Sequence, residues 1–200
     1  MIYYTADWRF GHANIIKYSA RPFANIWRMN EALIENYNSV VADTDTVYVL
    51  GDVSFLKFGD TEPMLRRLKG TKHLILGNHD KHLRHRPGAK EYFASVNDII
   101  EILDGGCRVV LRHSPMLSWE GMTAGALHVF GHIHNNAHDP QFLLLENLNA
   151  YNAGVDVNGY RPATLEQLIS NKRKFYTGFY NEYDPGSETG GSEADGGAEM

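Results

Sequence analysis

Six Asp, Asn and His residues that follow short apolar runs in this sequence have side chains of the types that bind divalent metal ions. Five of them stand two positions after a short run of mostly apolar residues, and the sixth follows the fifth after one further residue. Carboxylate, amide oxygen and imidazole together, with no thiolate, suit Mn, Fe, Zn, Ni or Co. Two such ions can clamp a phosphoryl group and lower the pKa of bound water. The residues are Asp7, Asp52, Asn78, His113, His132 and His134.

The apolar runs predict buried strands, because each has four or five β-branched, aromatic or leucine residues bounded by Gly, Asp or His. Apolar residues at three- and four-residue steps predict a helix over Trp27–Val41. Shorter helices are predicted at Pro63–Lys69 and Leu165–Lys172, the last with Thr164 as its N-cap. This alternation predicts one α/β domain over residues 1–180, with the loops after the strands meeting at one crevice. The predicted strands are Ile2–Thr5, Thr46–Leu50, His73–Leu76, Ile99–Leu103, Cys107–Leu111 and Leu127–Phe130.

The charge of the chain is concentrated at its C-terminal end. Residues 181–200 hold six acidic residues and no Lys or Arg, whereas the remaining 180 residues hold 19 basic and 18 acidic residues. A body of net charge +1 has no bulk field that would draw it onto nucleic acid or acidic lipid. The Gly- and Ser-rich acidic tail over residues 181–200 is predicted to be disordered.

The chain has no run of about 18 apolar residues, so an integral membrane protein is excluded. The first residues have neither a basic leader nor an apolar signal core. The single cysteine, Cys107, cannot form an internal disulfide and is predicted to be a small buried hydrophobe. Among the aromatic residues, Trp27 and Tyr37 are predicted to belong to the core. We expect a cytoplasmic protein.

Five motifs resemble those of the calcineurin-like metallophosphoesterases, in the order and at spacings compatible with that family. Two flanking segments, residues 10–23 and residues 152–162, further resemble a small bacterial and phage subgroup, so the resemblance covers about residues 1–170. The motifs are Asp7-Trp8-Arg9, Gly51-Asp52, Gly77-Asn78-His79-Asp80, His113 and Gly131-His132-Ile133-His134.

The resemblance implies a four-layer α/β fold: a two-sheet β-sandwich flanked by helices, with a binuclear metal centre at the C-terminal ends of the strands. It implies that Asp52 bridges two ions. Asn78, His113 and His132 would complete one site, while Asp7 and His134 would serve the other. His79 would act as general acid or stabilise the phosphate, with Asp80 orienting it. The implied reaction is hydrolysis of a phosphate ester by in-line attack of metal-bound hydroxide, with Mn²⁺ as the favoured ion.

The first motif departs from the family pattern, because Arg9 stands where the family has a histidine. A guanidinium stays protonated and has no lone pair for a metal, so Arg9 cannot replace that ligand. Three arrangements remain open. His12 can substitute as a ligand, water can complete a weaker first site, or Arg9 can pair with Asp7 and Asp52 and leave a single ion.

The substrate is expected to be a small molecule with an accessible phosphate ester, a diester in preference to a monoester. By resemblance, His12, Asn14 and Arg21 line the substrate side, although a capping or salt-bridge role suits Asn14 and Arg21 equally well. Two other functions are alternatives. One is a scaffold that has lost catalysis, and the other is a nuclease, which the near-neutral body does not favour. The oligomeric state stays open.

Overall fold

The computed structural model describes residues 1–80, 83–136 and 138–177 of the chain. The acidic tail predicted over residues 181–200, and the domain boundary predicted at residue 180, lie outside the described residues. Within them, eight strands form two four-stranded sheets.

The first sheet is wholly parallel, in the order β1-β2-β3-β4. Because its strands run in one direction, their C-terminal ends all lie at one edge. Its strands are β1 (Ile2–Thr5), β2 (Thr46–Val49), β3 (Thr71–Ile75) and β4 (Ser95–Asn97).

The second sheet has the order β5-β6-β7-β8. A hairpin through Gly105 and Gly106, both with positive φ, joins its first two strands in antiparallel fashion. The remaining pairs are parallel. The strands are β5 (Ile99–Asp104), β6 (Cys107–Arg112), β7 (Leu127–Phe130) and β8 (Ala150–Asn152).

Four α-helices connect or follow the strands, and two of them begin at side-chain caps. The Asn25 side chain accepts a hydrogen bond from the Arg28 N–H at the start of α2. At the start of α4, Thr164 and Gln167 bond each other's backbone N–H groups as a capping box. The helices are α1 (Ala13–Tyr18), α2 (Ile26–Val40), α3 (Phe58–Arg67) and α4 (Leu165–Thr177).

The alternation of side chains along the strands divides the core into layers. Tyr3 of β1 packs with α2 and α3, whereas Tyr4 packs between the sheets. In the second sheet, Val109 and Leu111 also face the inter-sheet core, while Val110 faces an outer layer that includes Phe175 of α4. The expected four-layer sandwich flanked by helices is therefore confirmed.

Several predicted elements differ in extent from those of the structure. The helix predicted to begin at Pro63 begins at Phe58, with the proline in its interior. Strands β4 and β8 were not predicted, because each has only three residues and offers little apolar pattern. The six predicted strands and the helix over Trp27–Val41 are confirmed to within two residues at each end.

Two burial predictions were wrong. Trp27 lies in the first turn of α2 but is 60% exposed, because the buried stripe of that helix begins two residues later at Met29. Cys107 begins β6 directly after the Gly105-Gly106 turn, where the hairpin projects from the core and leaves the thiol exposed. Tyr37 is buried as predicted. No helix in the described part of the chain has the length and apolarity to cross a membrane.

Candidate metal centre

The C-terminal ends of both sheets meet at one edge of the sandwich. Beyond β1, Ala6 forms a parallel bridge with Gly154, which follows β8, so the two sheets are joined at this edge. The backbone N–H of Asp7 bonds the Gly51 carbonyl, and that of Gly131 bonds the His113 carbonyl. The loops that carry the predicted site residues are therefore held against one another by the ends of the strands.

The backbone at this edge is strained. Seven non-glycine residues among those described have positive φ, and five of them belong to the candidate site. Such conformations cost about 1–3 kcal/mol each and persist only where the surrounding structure enforces them. Their concentration here indicates that the fold tolerates a cost in folding free energy in order to fix the directions of these side chains. The five are Asp7 (φ 61), Arg9 (52), Asp52 (55), His132 (73) and His134 (49).

Two glycines allow the loops after β2 and β3 to touch. A Cβ at Gly77 would lie 2.3 Å from Oδ1 of Asp52 and 2.5 Å from its backbone nitrogen. A Cβ at Gly51, where φ is +81°, would lie 2.4 Å from the nitrogen of Gly77. Glycine at both positions therefore sets how closely Asp52 and Asn78 approach each other.

Four side chains, from three loops and one strand end, direct atoms that can bind a metal ion towards one position. They are those of Asp52, Asn78, His113 and His132. Oδ1 of Asn78 lies 3.1 Å from Nε2 of His113 and 3.1 Å from Nδ1 of His132. Oδ1 of Asp52 lies 3.6 Å from the same Nε2 of His113. Asp7, Asp52 and His113 also each offer one donor atom within 4.8 Å of the other two.

The hydrogen bonding of His113 makes this position fit a cation. Nδ1 of His113 lies 2.6 Å from the Leu50 carbonyl oxygen, which can only accept, so Nδ1 carries the proton. In the neutral ring, Nε2 then presents its lone pair to the oxygens of Asn78 and Asp52, which are themselves acceptors. Burial, and then the neighbouring His113, lower the pKa of His132 and favour its neutral ring as well.

The distances between these nitrogen and oxygen atoms agree with the distances between ligands of one metal ion. Atoms bonded at about 2.0–2.2 Å to one ion lie about 3.0–3.6 Å apart in tetrahedral or octahedral geometry. The measured separations of 3.1, 3.1 and 3.6 Å fall in that range. The group can therefore hold a divalent metal ion.

Arg9 lies where the other half of the site was predicted. Its Nη2 lies 2.5 Å from Oδ2 of Asp52, and its Nε lies 3.8 Å from Oδ1 of Asp7. Nε2 of His134 lies 3.7 Å from the same oxygen of Asp7. Arg9 therefore forms the ion pairs with both carboxylates that the third arrangement requires, while the number of ions stays a prediction.

Of the two roles left open for Arg21, substrate contact and a salt bridge, the structure shows the salt bridge. Its side chain is fully buried and bonds both oxygens of Asp156, at 2.7 and 3.0 Å. It also donates to the carbonyl oxygens of Asp7 and Trp8. With its donors occupied inside the protein, Arg21 supports the loop that carries Asp7 and Arg9.

Asp156 links Arg21 to His134. Its Oδ2 lies 2.7 Å from Nδ1 of His134, so Nδ1 carries the proton and Nε2 faces Asp7. Burial raises the pKa of Asp156, but Arg21 and His134 outweigh it and hold the pKa at about 2. Burial lowers the pKa of His134, and the charges of Asp7 and Asp156 outweigh that effect and raise it.

Asp80 does not orient His79 as predicted. Its Oδ2 accepts the N–H groups of Asp52, at 2.5 Å, and Gly77, at 3.1 Å, and its Oδ1 accepts that of Val53. A carboxylate that accepts three backbone N–H groups fixes the loops after β2 and β3 together. Burial raises the pKa of Asp80. Asp80 is therefore a positioning residue for Asp52, and its predicted part in catalysis stays a prediction.

His79 is exposed beside Asn78 and belongs to a stack of rings. The Phe55 ring lies 4.0 Å from the His12 ring, nearly parallel to it, and 4.4 Å from the His79 ring. The guanidinium of Arg9 lies 5.4 Å from the centre of Phe55. Phe55 thus holds two histidines next to the candidate metal centre.

His12 and Asn14 were predicted to contact the substrate, and both lie where this role stays open to them. His12 is not in the one group of three His, Cys, Asp or Glu donors that the described residues form within 4.8 Å. Asn14 is exposed on α1. The substrate-binding role of both residues stays a prediction.

Sequence reasoning assigned no role to Asp156 or Phe55. Asp156 stands in the second flanking segment that resembles the subgroup, and a buried acidic residue after an apolar segment was the available signal. Phe55 has no such signal, because an aromatic residue three positions after Asp52 is equally typical of the hydrophobic core and of a binding site.

We expect Asp156→Asn to lower the free energy of unfolding by about 3 kcal/mol at pH 7, because it leaves the buried Arg21 without its full partner. The folded-state pKa of Asp156, about 2, is below the unfolded value of about 4. Its stabilising contribution is therefore complete above pH 4 and declines as the pH falls towards 2. Urea unfolding of both proteins from pH 7 to 2.5 measures this. A difference that stays constant over that range would contradict the assignment.

We expect Gly77→Ala to weaken Mn²⁺ binding and to destabilise the fold by about 1–3 kcal/mol, because the new methyl group collides with Asp52. Gly59→Ala is the matched control. A Cβ at Gly59 meets no atom within 4 Å, and this residue lies inside α3. The control should be stabilised by about 0.5–1 kcal/mol. Calorimetric titration and thermal unfolding measure both effects, and equal behaviour of the two variants would refute the close approach.

No protein-family profile matches the chain. The uncharacterized protein MJ1445 of Methanocaldococcus jannaschii is 36% identical over 170 residues, which are 84% of this chain and 89% of that protein. The Gene 66 protein of Mycobacterium phage D29 is 27% identical over 67% of this chain and 78% of its own length.

Among solved structures, the protein of unknown function AQ665 from Aquifex aeolicus aligns with a TM-score of 0.68 and 27% identity. The alignment covers 85% of this chain and 98% of that one. The chain belongs to the family of MJ1445. The order of its motifs, its two-sheet fold and the ligand cluster at the edge of the sheets resemble those of the calcineurin-like metallophosphoesterases.

Proposed function

We propose that this protein is a divalent-metal-dependent phosphoesterase that hydrolyses small phosphodiesters in preference to monoesters. The observation that carries the proposal is the convergence of metal-ligand atoms at Asn78. Nε2 of His113 and Nδ1 of His132 both lie 3.1 Å from its amide oxygen. Because Nδ1 of His113 is bonded to the Leu50 carbonyl oxygen, the neutral His113 ring turns the lone pair of Nε2 towards the Asn78 oxygen, and a cation between these two acceptors would satisfy both.

In this proposal Asn78, His113, His132 and Asp52 hold the ion, with Mn²⁺ favoured and Fe, Zn, Ni or Co as other candidates. Mixed oxygen and nitrogen ligands without a thiolate are the basis for that choice. When bound, the ion supplies Lewis-acid stabilisation of a phosphoryl oxygen and lowers the pKa of a bound water. Asp7 and His134 lie on the other side of Asp52, next to Arg9.

His79 is the residue proposed to protonate the leaving oxygen. It follows Asn78 directly, its side chain is exposed, and its ring rests against Phe55 at 4.4 Å. Its backbone N–H also bonds Oδ1 of Asp52 at 3.0 Å, so its position is tied to that of a proposed ligand. A general acid needs this kind of fixed position beside the bond that breaks.

Two clefts support the preference for a diester. One, of about 370 Å³, is lined by residues 54–57 and His79. The other, of about 350 Å³, lies next to Asn78 and His113 and includes Arg84 and Arg112. A phosphodiester carries a substituent on each of two ester oxygens, and the two clefts, one lined by His79 and the other by Asn78, can take one each. A monoester would leave one cleft empty.

A non-catalytic scaffold and a nuclease are the two alternative functions. A scaffold without catalysis would have no need for strained ligand geometry, which costs stability at five site residues. A nuclease is supported by the two arginines of the second cleft, although Arg84 is paired with Asp98. The proposal includes a cytoplasmic location, for which the single unpaired cysteine is the argument.

We expect Asn78→Ala to abolish turnover of bis(p-nitrophenyl) phosphate and to weaken Mn²⁺ binding at least about tenfold, since second-sphere losses alone reach that size. Asn147→Ala changes the same residue type at an exposed position away from the site, and it should retain both properties. Steady-state kinetics and calorimetry measure the two effects. Full activity in Asn78→Ala would overturn the proposed function.

The salt dependence of binding distinguishes a small-molecule enzyme from a nuclease. For a small phosphodiester, we expect KM to change less than about threefold between 50 and 200 mM salt, because few counterions are released. A single-stranded oligonucleotide bound through many phosphates would lose about 10³-fold or more in affinity over that range. Tight oligonucleotide binding with this steep dependence would favour the nuclease.

A further inference from the structure

We infer that Arg9 is a built-in cation that takes the place of one of two metal ions, so that the centre binds a single divalent ion and uses the guanidinium as its second positive charge. This inference rests on the proposed function for the identity of the site. It concerns the number of ions, which binding measurements determine independently of turnover.

The guanidinium lies between the two buried carboxylates that a second ion would need. Nη2 contacts Oδ2 of Asp52 at 2.5 Å, and Nε is 3.8 Å from Oδ1 of Asp7. The side chains of both aspartates are 0% exposed. Two buried negative charges require compensation, and Arg9 provides one of the positive charges without an ion.

The backbone holds Arg9 in this position. Its φ of 52° lies in the left-handed region, and its N–H bonds the carbonyl oxygen of Asp52 at 3.0 Å. The neighbouring Trp8 side chain is buried in the core layer that contains Tyr3 and the packed faces of α2 and α3. Because the main chain of Arg9 and its guanidinium both contact Asp52, the side chain is fixed over the site by two separate bonds.

The two oxygens of Asp52 are then divided between two cationic partners. Oδ2 is occupied by Arg9, whereas Oδ1 faces His113 at 3.6 Å in the position proposed for the ion. A bridging carboxylate needs one oxygen for each of two ions. Because the guanidinium stays charged and lies against Oδ2, it would repel a second divalent ion at that oxygen, and Asp52 would bridge two ions only if Arg9 moved away.

His12, the substitute ligand considered for the second ion, does not complete a site around Arg9. Among the described residues, His12 does not join Asp7 and Asp52 within 4.8 Å. Nε of Arg9 and Oδ1 of Asp7 are buried and have no hydrogen-bond partner. These two atoms lie 3.8 Å apart, so the contact of the guanidinium with Asp7 is an ion pair rather than a hydrogen bond.

The test counts ions. The full-length protein is stripped of metal, dialysed against Mn²⁺ and analysed for ions per chain, and its electron paramagnetic resonance spectrum is recorded. We expect one ion and the spectrum of an isolated Mn²⁺ in the natural protein. In Arg9→His, we expect two ions and the broadened spectrum of a coupled pair.

Arg28→His is the matched control, because it makes the same change at an exposed residue of α2 and should leave one ion. Arg9→Gln removes the charge at similar size, and it provides a second measure if Arg9→His does not fold. It is expected to bind a second ion more weakly than Arg9→His. Two ions in the natural protein, or one ion in both Arg9 variants, would overturn the inference and leave the proposed function standing. No bound ion in the folded natural protein would overturn both.

Discussion

Four buried carboxylates at one edge of the sandwich impose the electrostatic constraint on which the rest of the structure depends. Each must be compensated, because an isolated charge in the interior is prohibitively costly. Asp156 pairs with Arg21 and His134, whereas Asp80 accepts three backbone N–H groups. Asp52 contacts Arg9 and the N–H of His79, and Asp7 accepts the N–H of His132. Together these bonds connect the loops that follow strands of both sheets.

The compensating groups explain the local backbone. Loops can supply N–H groups to a carboxylate only if they approach it closely, and this requires Gly51 and Gly77 where the loops touch. It also requires left-handed conformations at residues such as Asp7 and His132. The buried strands and α2 offset the energetic cost of this strain, because their packing in the core holds the loops in place. The site is thus organised by the sandwich before any ligand arrives.

The sequence was sufficient for the fold class and for the location of the candidate site, because polar residues at strand ends converge in any parallel sheet. It could not predict the contacts of Asp80 or decide between the two roles open to Arg21. Both stand in or beside motifs that carry chemistry, yet their partners are backbone groups and Asp156, which lie up to 135 positions away. The choice among three arrangements for Arg9 likewise depended on distances that spacing along the chain does not encode. Strands β4 and β8 were missed because three-residue strands derive their stability from neighbouring strands rather than from their own pattern.

A charge that belongs to the polypeptide differs from an ion in that it cannot dissociate. If Arg9 supplies half of the positive charge at this centre, occupancy follows a simple hyperbola in free metal concentration, with no cooperativity between ions. Activity would then vary with the first power of that concentration when metal is scarce, where a two-ion centre would vary with its square. The contact between Arg9 and Asp52 would therefore make this protein less sensitive to fluctuations in metal supply.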